Sequence, residues 1–117
     1  VYIIRKEDLE CDNIIVNMGW AIKISDLHEF NIEEDEYTER YDTKRTLMSL
    51  EKLPVNVEKI DLHNNQHMKN MFQEPFSYMK EHNLRLDGDL LGVKIATIAE
   101  NYEELEYILF NIPIAEN

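Results

Sequence analysis

The sequence predicts an α+β fold in which a mostly antiparallel sheet carries one principal helix. Three observations point to it. Short β-branched and aromatic runs recur between polar turns, one central stretch places apolar residues at three- and four-residue spacing, and strand-like runs return at the C-terminal end. With 117 residues, 44% of them hydrophobic and 31% charged, the chain can build one core and reads as a single domain.

Tyr2-Ile3-Ile4-Arg5 is the first strand, followed by the charged turn Lys6-Glu7-Asp8. From Asn13 to Ile24, the residues Ile14, Val16, Met18, Trp20, Ile22 and Ile24 fall on one face at period two, which predicts a half-buried strand. Ser25 to Thr43 carries the acidic cluster Glu33-Glu34-Asp35-Glu36 without either periodicity, and reads as a linker with at most a short helical turn. Thr46 to Leu50 and Val55 to Leu62 are expected as two strands, with Pro54 marking the turn between them.

Asn64-Asn65 can cap a helix in which Met68, Met71, Phe72, Phe76 and Met79 share one face up to about His82. Pro75 removes a donor inside it, which predicts a kink or a restart with Pro75 at the first helical position. Asp87-Gly88-Asp89 is a turn. Leu90 to Ile98 is a strand with Leu91, Val93, Ile95 and Thr97 on one face, Glu100 to Glu103 is a polar connection, and Leu105 to Ile114 is the last strand, ended by Pro113.

Twelve Lys and Arg against 24 Asp and Glu give a net charge of -12, which repels phosphate backbones and anionic lipid, so neither direct nucleic-acid binding nor membrane association is expected. The single cysteine, Cys11, lies between Glu10 and Asp12, and its setting suits a reducing cytoplasm and an inert thiol. His63 and His67 have no third ligand at diagnostic spacing, so no metal is expected, and no cofactor motif or nucleophile signature stands out. A binding role follows more naturally than an enzymatic one. Aromatic faces beside a carboxylate form a receptor for flat, apolar cations, and Trp20, Phe76, Tyr78, Glu106 and Tyr107 are the candidates, with Glu104 as a further carboxylate.

The run Phe76 to Asp89 resembles the helix-to-strand passage of gyrase-inhibitor-like effector-binding domains, and Tyr107-Ile108-Leu109-Phe110-Asn111-Ile112-Pro113-Ile114 is similar to their closing strand. Tyr2 to Leu9 resembles a strand and turn of their first repeat, as found in MerR-type drug-responsive transcriptional regulators. The resemblance implies two strand-helix-strand-strand repeats: a partial first repeat over 1–24, an acidic linker over 25–43 and a second repeat over 44–117. It implies a cytoplasmic, ligand-sensing domain cut from a longer protein whose missing N-terminal part meets DNA. Gly92 and Leu109 stand where cation-binding members carry acidic residues, which favours an apolar or neutral aromatic ligand unless Glu106 or Glu104 substitutes. The rival expectation is a stand-alone protein that holds a basic partner by its acidic surface. An incomplete sheet would leave an edge open to a second copy, as in a homodimer.

Overall fold

Strand β6 (Glu103–Glu116) is the axis of the structure, a computed structural model that describes residues 1–11, 13–54 and 65–117. Its alternate residues Ile108, Phe110, Ile112 and Ile114 are all buried, so one side of this strand is committed to a core. Three strands pair with it in antiparallel register: β3 (Thr46–Pro54), β4 (Leu84–Leu86) and β5 (Leu90–Glu100). Beyond β5 come β1 (Tyr2–Ile4) and the edge strand β2 (Val16–Met18), giving the order β2-β1-β5-β6-β3 with β4 beside β6. The fold is α+β with a mostly antiparallel six-stranded sheet and few helices.

Two helices, α2 (Asn65–Met71) and α3 (Gln73–Glu81), cover the side of the sheet that carries Ile108 and Phe110. Phe72, between them, meets Phe110 edge-on at 5.0 Å, and Met68, Met79, Ile4 and Leu90 complete the core. Each such side chain contributes roughly 1.5–3 kcal/mol on burial. The break between α2 and α3 follows from Pro75. Its missing N–H and its ring both act against the carbonyl of Met71, so the ladder stops there and resumes with Pro75 at the third position of α3 rather than the first. The whole is a slab of 43 × 40 × 21 Å, thick enough for one sheet and one helix layer. Among the described residues no helix is long and apolar enough to cross a membrane.

Several expectations need correction. Lys6 to Glu10 forms a short helix, α1, instead of a turn, because the distant Asp89 carboxylate accepts the Lys6 N–H that a helix start leaves unpaired. The strand expected over Asn13 to Ile24 exists only as Val16–Met18, since its partner β1 offers no register beyond the Val1–Gly19 hydrogen bonds. Ile14 and Val16 join the core, whereas Met18, Trp20, Ile22 and Ile24 are exposed, and Ile24–Asp26 is a single 3-10 turn.

Strand β3 runs through Glu51, Lys52 and Leu53 to Pro54 without a turn, for Pro54 is its last residue and owes the ladder nothing further. The expected strand Val55 to Leu62, and His63, lie outside the described residues. Pro113 does not end β6. It sits where the neighbour changes from β5 to β4, its carbonyl accepts from the Asp87 N–H at 2.8 Å, and only one donor is lost. The connection after β5 is just Asn101-Tyr102, both at positive φ as a tight hairpin turn requires. A register shift between Lys94 and Ala96 sets two residues against Tyr107, so Thr97 leaves the side shared by Leu91 and Val93.

Candidate ligand-binding site

The local chemistry on the helix side of the sheet begins at a glycine. Gly92 lies between Tyr2 on β1 and Phe110 on β6, and the Phe110 ring fills the space a side chain would need. A Cβ built on Gly92 would lie 2.6 Å from Phe110 Cε1, so no acidic residue fits there while Phe110 stays in place. Carboxylates on this side come instead from Glu106, four residues earlier in β6 than Phe110 and on the same side by alternation, and from Glu51 on β3, which is paired with Ile108 and accepts from the Ser49 hydroxyl at 2.8 Å.

Glu106 is a mostly buried carboxylate with two partners. Lys94 Nζ approaches its Oε1 at 3.5 Å, and the Tyr2 hydroxyl lies within reach of its charge. Burial raises the Tyr2 hydroxyl above the ordinary tyrosine range, and the charge of Glu106 raises it further, so Tyr2 stays a neutral donor. The Lys94 side chain is half exposed while that of Glu106 is 22% exposed, which makes the lysine a movable cover over a fixed anion. Aromatic rings lead away from this point: Phe110 over Gly92, Phe72 at 5.0 Å from Phe110, and Phe76 at 5.9 Å from Phe72.

The five residues singled out from sequence therefore divide. Glu106 and Phe76 lie on the same side of the sheet, Phe76 joined through Phe72 to Phe110, which is four residues along β6 from Glu106. Tyr107 alternates to the other side, opposite Lys52 and Ala96. Trp20 stands fully exposed just beyond β2. Tyr78 stacks on His82 at 3.9 Å over a surface depression of about 270 Å³ with Arg45 and Glu116, while Phe76 borders a separate one of about 460 Å³ with Lys69, Gln73 and Lys80. Glu104 is exposed at the hairpin end. Tyr2 escaped the sequence reading, for only the register Tyr2↔Gly92 brings it to Glu106, 104 positions along the chain.

A second polar cluster ties the long crossover to the sheet. Arg5 Nη1 donates to Glu39 at 2.6 Å, to the Tyr41 hydroxyl at 2.9 Å and to Asp89 at 3.1 Å. Burial pushes the Tyr41 hydroxyl up to about 12, against the pull of Arg5. Asp89 lies below the usual carboxylate range, because the Lys6 N–H, Arg5 and Tyr41 together outweigh its burial. These groups satisfy one another, so the cluster is a clamp. Among the described residues no three His, Cys, Asp or Glu gather as a metal site.

No family model matches the chain, and neither a curated protein nor a solved structure matches it.

Proposed function

We propose that this chain is a non-enzymatic, ligand-sensing effector-binding domain of a MerR-type transcriptional regulator, related to gyrase-inhibitor-like domains. The observation that carries the reading is the convergence of Tyr2 and Lys94 on the mostly buried Glu106, on the side of the sheet that also carries Phe110. A flat, largely apolar ligand lies against the Tyr2 ring, displaces Lys94 and presents a hydrogen-bond donor or a delocalised cation to Glu106. Desolvation strengthens that contact, and the aromatic surface supplies the area. The resemblance of residues 44–114 to the second repeat of that family motivates the reading, and the order there is one strand, two helices and three strands. DNA contact belongs to another part of the regulator, as the charge of -12 requires. Ligand then shifts the regulator between two states by its difference in affinity for them.

The test is calorimetric melting of the purified chain with flat aromatic compounds, neutral and cationic. A compound at a hundredfold excess over its Kd stabilises by about 2.7 kcal/mol, or about 10 °C for a chain of this size. Tyr2→Ala and Glu106→Gln should reduce that shift, and Trp20→Ala should leave it intact. Stabilisation that survives both site changes and vanishes with Trp20→Ala would refute the placement.

A further inference from the structure

Strand β2 ends the sheet, and its outer edge is open. Val1 and Gly19 exchange both backbone hydrogen bonds, at 2.9 Å and 3.0 Å, so Asn17 and Gly19 turn their backbone groups inward to β1 while Val16 and Met18 turn theirs outward. The same alternation leads on through Trp20 to Ile22, and Lys23 is still extended where the 3-10 turn begins. Among the described residues no hydrogen bond reaches the outward backbone groups of Val16, Met18, Trp20 or Ile22. Such a row of free donors and acceptors is a template for one more strand. The side chains agree with it. Val16 packs against the core, and on its side of the strand Met18, Trp20 and Ile22 follow at 75%, 103% and 39% exposure.

Charge and pattern say what pairs there. Residues 13–25 form the longest stretch of the chain without Asp or Glu, in a sequence that holds 24 of them. A net charge of -12 sets most of one copy against another, but two copies that meet along this edge bring no carboxylate together. Sheets that must stay single guard their edges with charge or proline, and this stretch has only Lys23. An antiparallel dyad centred on Trp20 sets Trp20 against Trp20, Met18 against Ile22 and Asn17 against Lys23. Every outward backbone group then faces another, and on the core side apolar residues meet apolar ones. This match of the edge to itself favours a second copy over a foreign strand. We infer that β2 pairs with β2 of a second copy, antiparallel over residues 17–23, so that two sheets run on as one across a twofold axis. Seven residues a side fall well short of the roughly 20–30 in a stable complex, so the dimer is reversible and grows with concentration. Glu106, on β6, lies three strands away from this edge.

Sedimentation equilibrium of the purified chain tests it and should show a reversible exchange between monomer and dimer. In a mixture of isotope-labelled and unlabelled chain, intermolecular NOEs should link the Met18 side chain to Ile22 of the other copy. Trp20→Thr keeps a strand former at an exposed position, and Met18→Lys puts a charge on the edge. Each should raise the dimer dissociation constant about tenfold or more while far-UV circular dichroism stays the same. A chain that stays monomeric as its concentration rises would overturn the proposal, and so would a dimer that both changes leave intact. A chain that is monomeric yet binds an unrelated peptide of alternating valine and threonine at Met18 and Trp20 would give the edge to a foreign strand, which also overturns it. Glu106→Gln should leave the dimer unchanged, so failure here and failure of the ligand site are read separately.

Discussion

Replacing Gly92 by alanine perturbs the point where core and site meet. The new methyl would stand 2.6 Å and 2.9 Å from two Phe110 ring carbons and 3.1 Å from Ile108 Cγ2. Phe110 has little room to retreat, because it is buried and its other side meets Phe72 at 5.0 Å. Overpacking of this kind costs about 1–3 kcal/mol, and the entropy that alanine removes from the unfolded chain returns only about 0.4–1 kcal/mol. Gly92 is not at positive φ, so no conformational term is added. The net expectation is a loss of about 1–2 kcal/mol, or about 4–8 °C in Tm. Urea unfolding followed by far-UV circular dichroism measures it, since fully exposed Trp20 is a poor fluorescent reporter of folding. Phe110→Leu narrows the ring's footprint, so the double variant should be less destabilised than the two single changes combined, with a coupling of about 1 kcal/mol. An alanine variant as stable as the parent, or strict additivity, would refute the contact.

The clamp predicts pH dependence on two sides. Asp89 is depressed in the folded state, so its contribution is present above its unfolded value and is lost as pH falls through the folded one; Asp89→Asn should lower stability at neutral pH and flatten the acid limb of a stability profile. Tyr41 is raised to about 12, so its contribution is complete below about 10 and is lost as pH rises between the two values; Tyr41→Phe should remove that alkaline loss, and an unchanged alkaline limb would contradict it. Tyr102 is fully exposed at φ 65°, a conformation that costs a non-glycine residue about 1 kcal/mol, so Tyr102→Gly should raise Tm by about 4 °C in the same melts, and a lower Tm would count against the turn.

The sequence made legible those elements whose pattern is local. The alternation of Ile108, Phe110, Ile112 and Ile114 and the helical spacing of Met68, Phe72 and Met79 state their buried sides outright. What escaped depends on partners distant in the chain. Strand β4 is only Leu84-Arg85-Leu86 and exists because Ile114 to Glu116 lie beside it. Helix α1 starts where Asp89, 83 positions away, receives the Lys6 N–H. Trp20 looked like one more apolar position in a strand, yet the pairing that would bury it stops at Gly19. Glu106 was legible as a carboxylate in the closing strand. Its partner Tyr2 was not, and the register shift after Lys94 gave no sequence signal, so the site could not be assembled from pattern alone.

We propose that ligand meets Glu106 on the helix side of the sheet. Two-dimensional NMR of the chain titrated with the compound that most raises its Tm tests this most directly, using the ring signals of Tyr2, the methyl of Thr97 opposite Glu106, and the methyls of Leu50 and Leu109 on the other side. Saturable shifts at Tyr2 and Thr97 that Glu106→Gln abolishes, with Leu50 and Leu109 unmoved, are the expected result. Shifts confined to Leu50, Leu109, Tyr107 or Trp20 would contradict it.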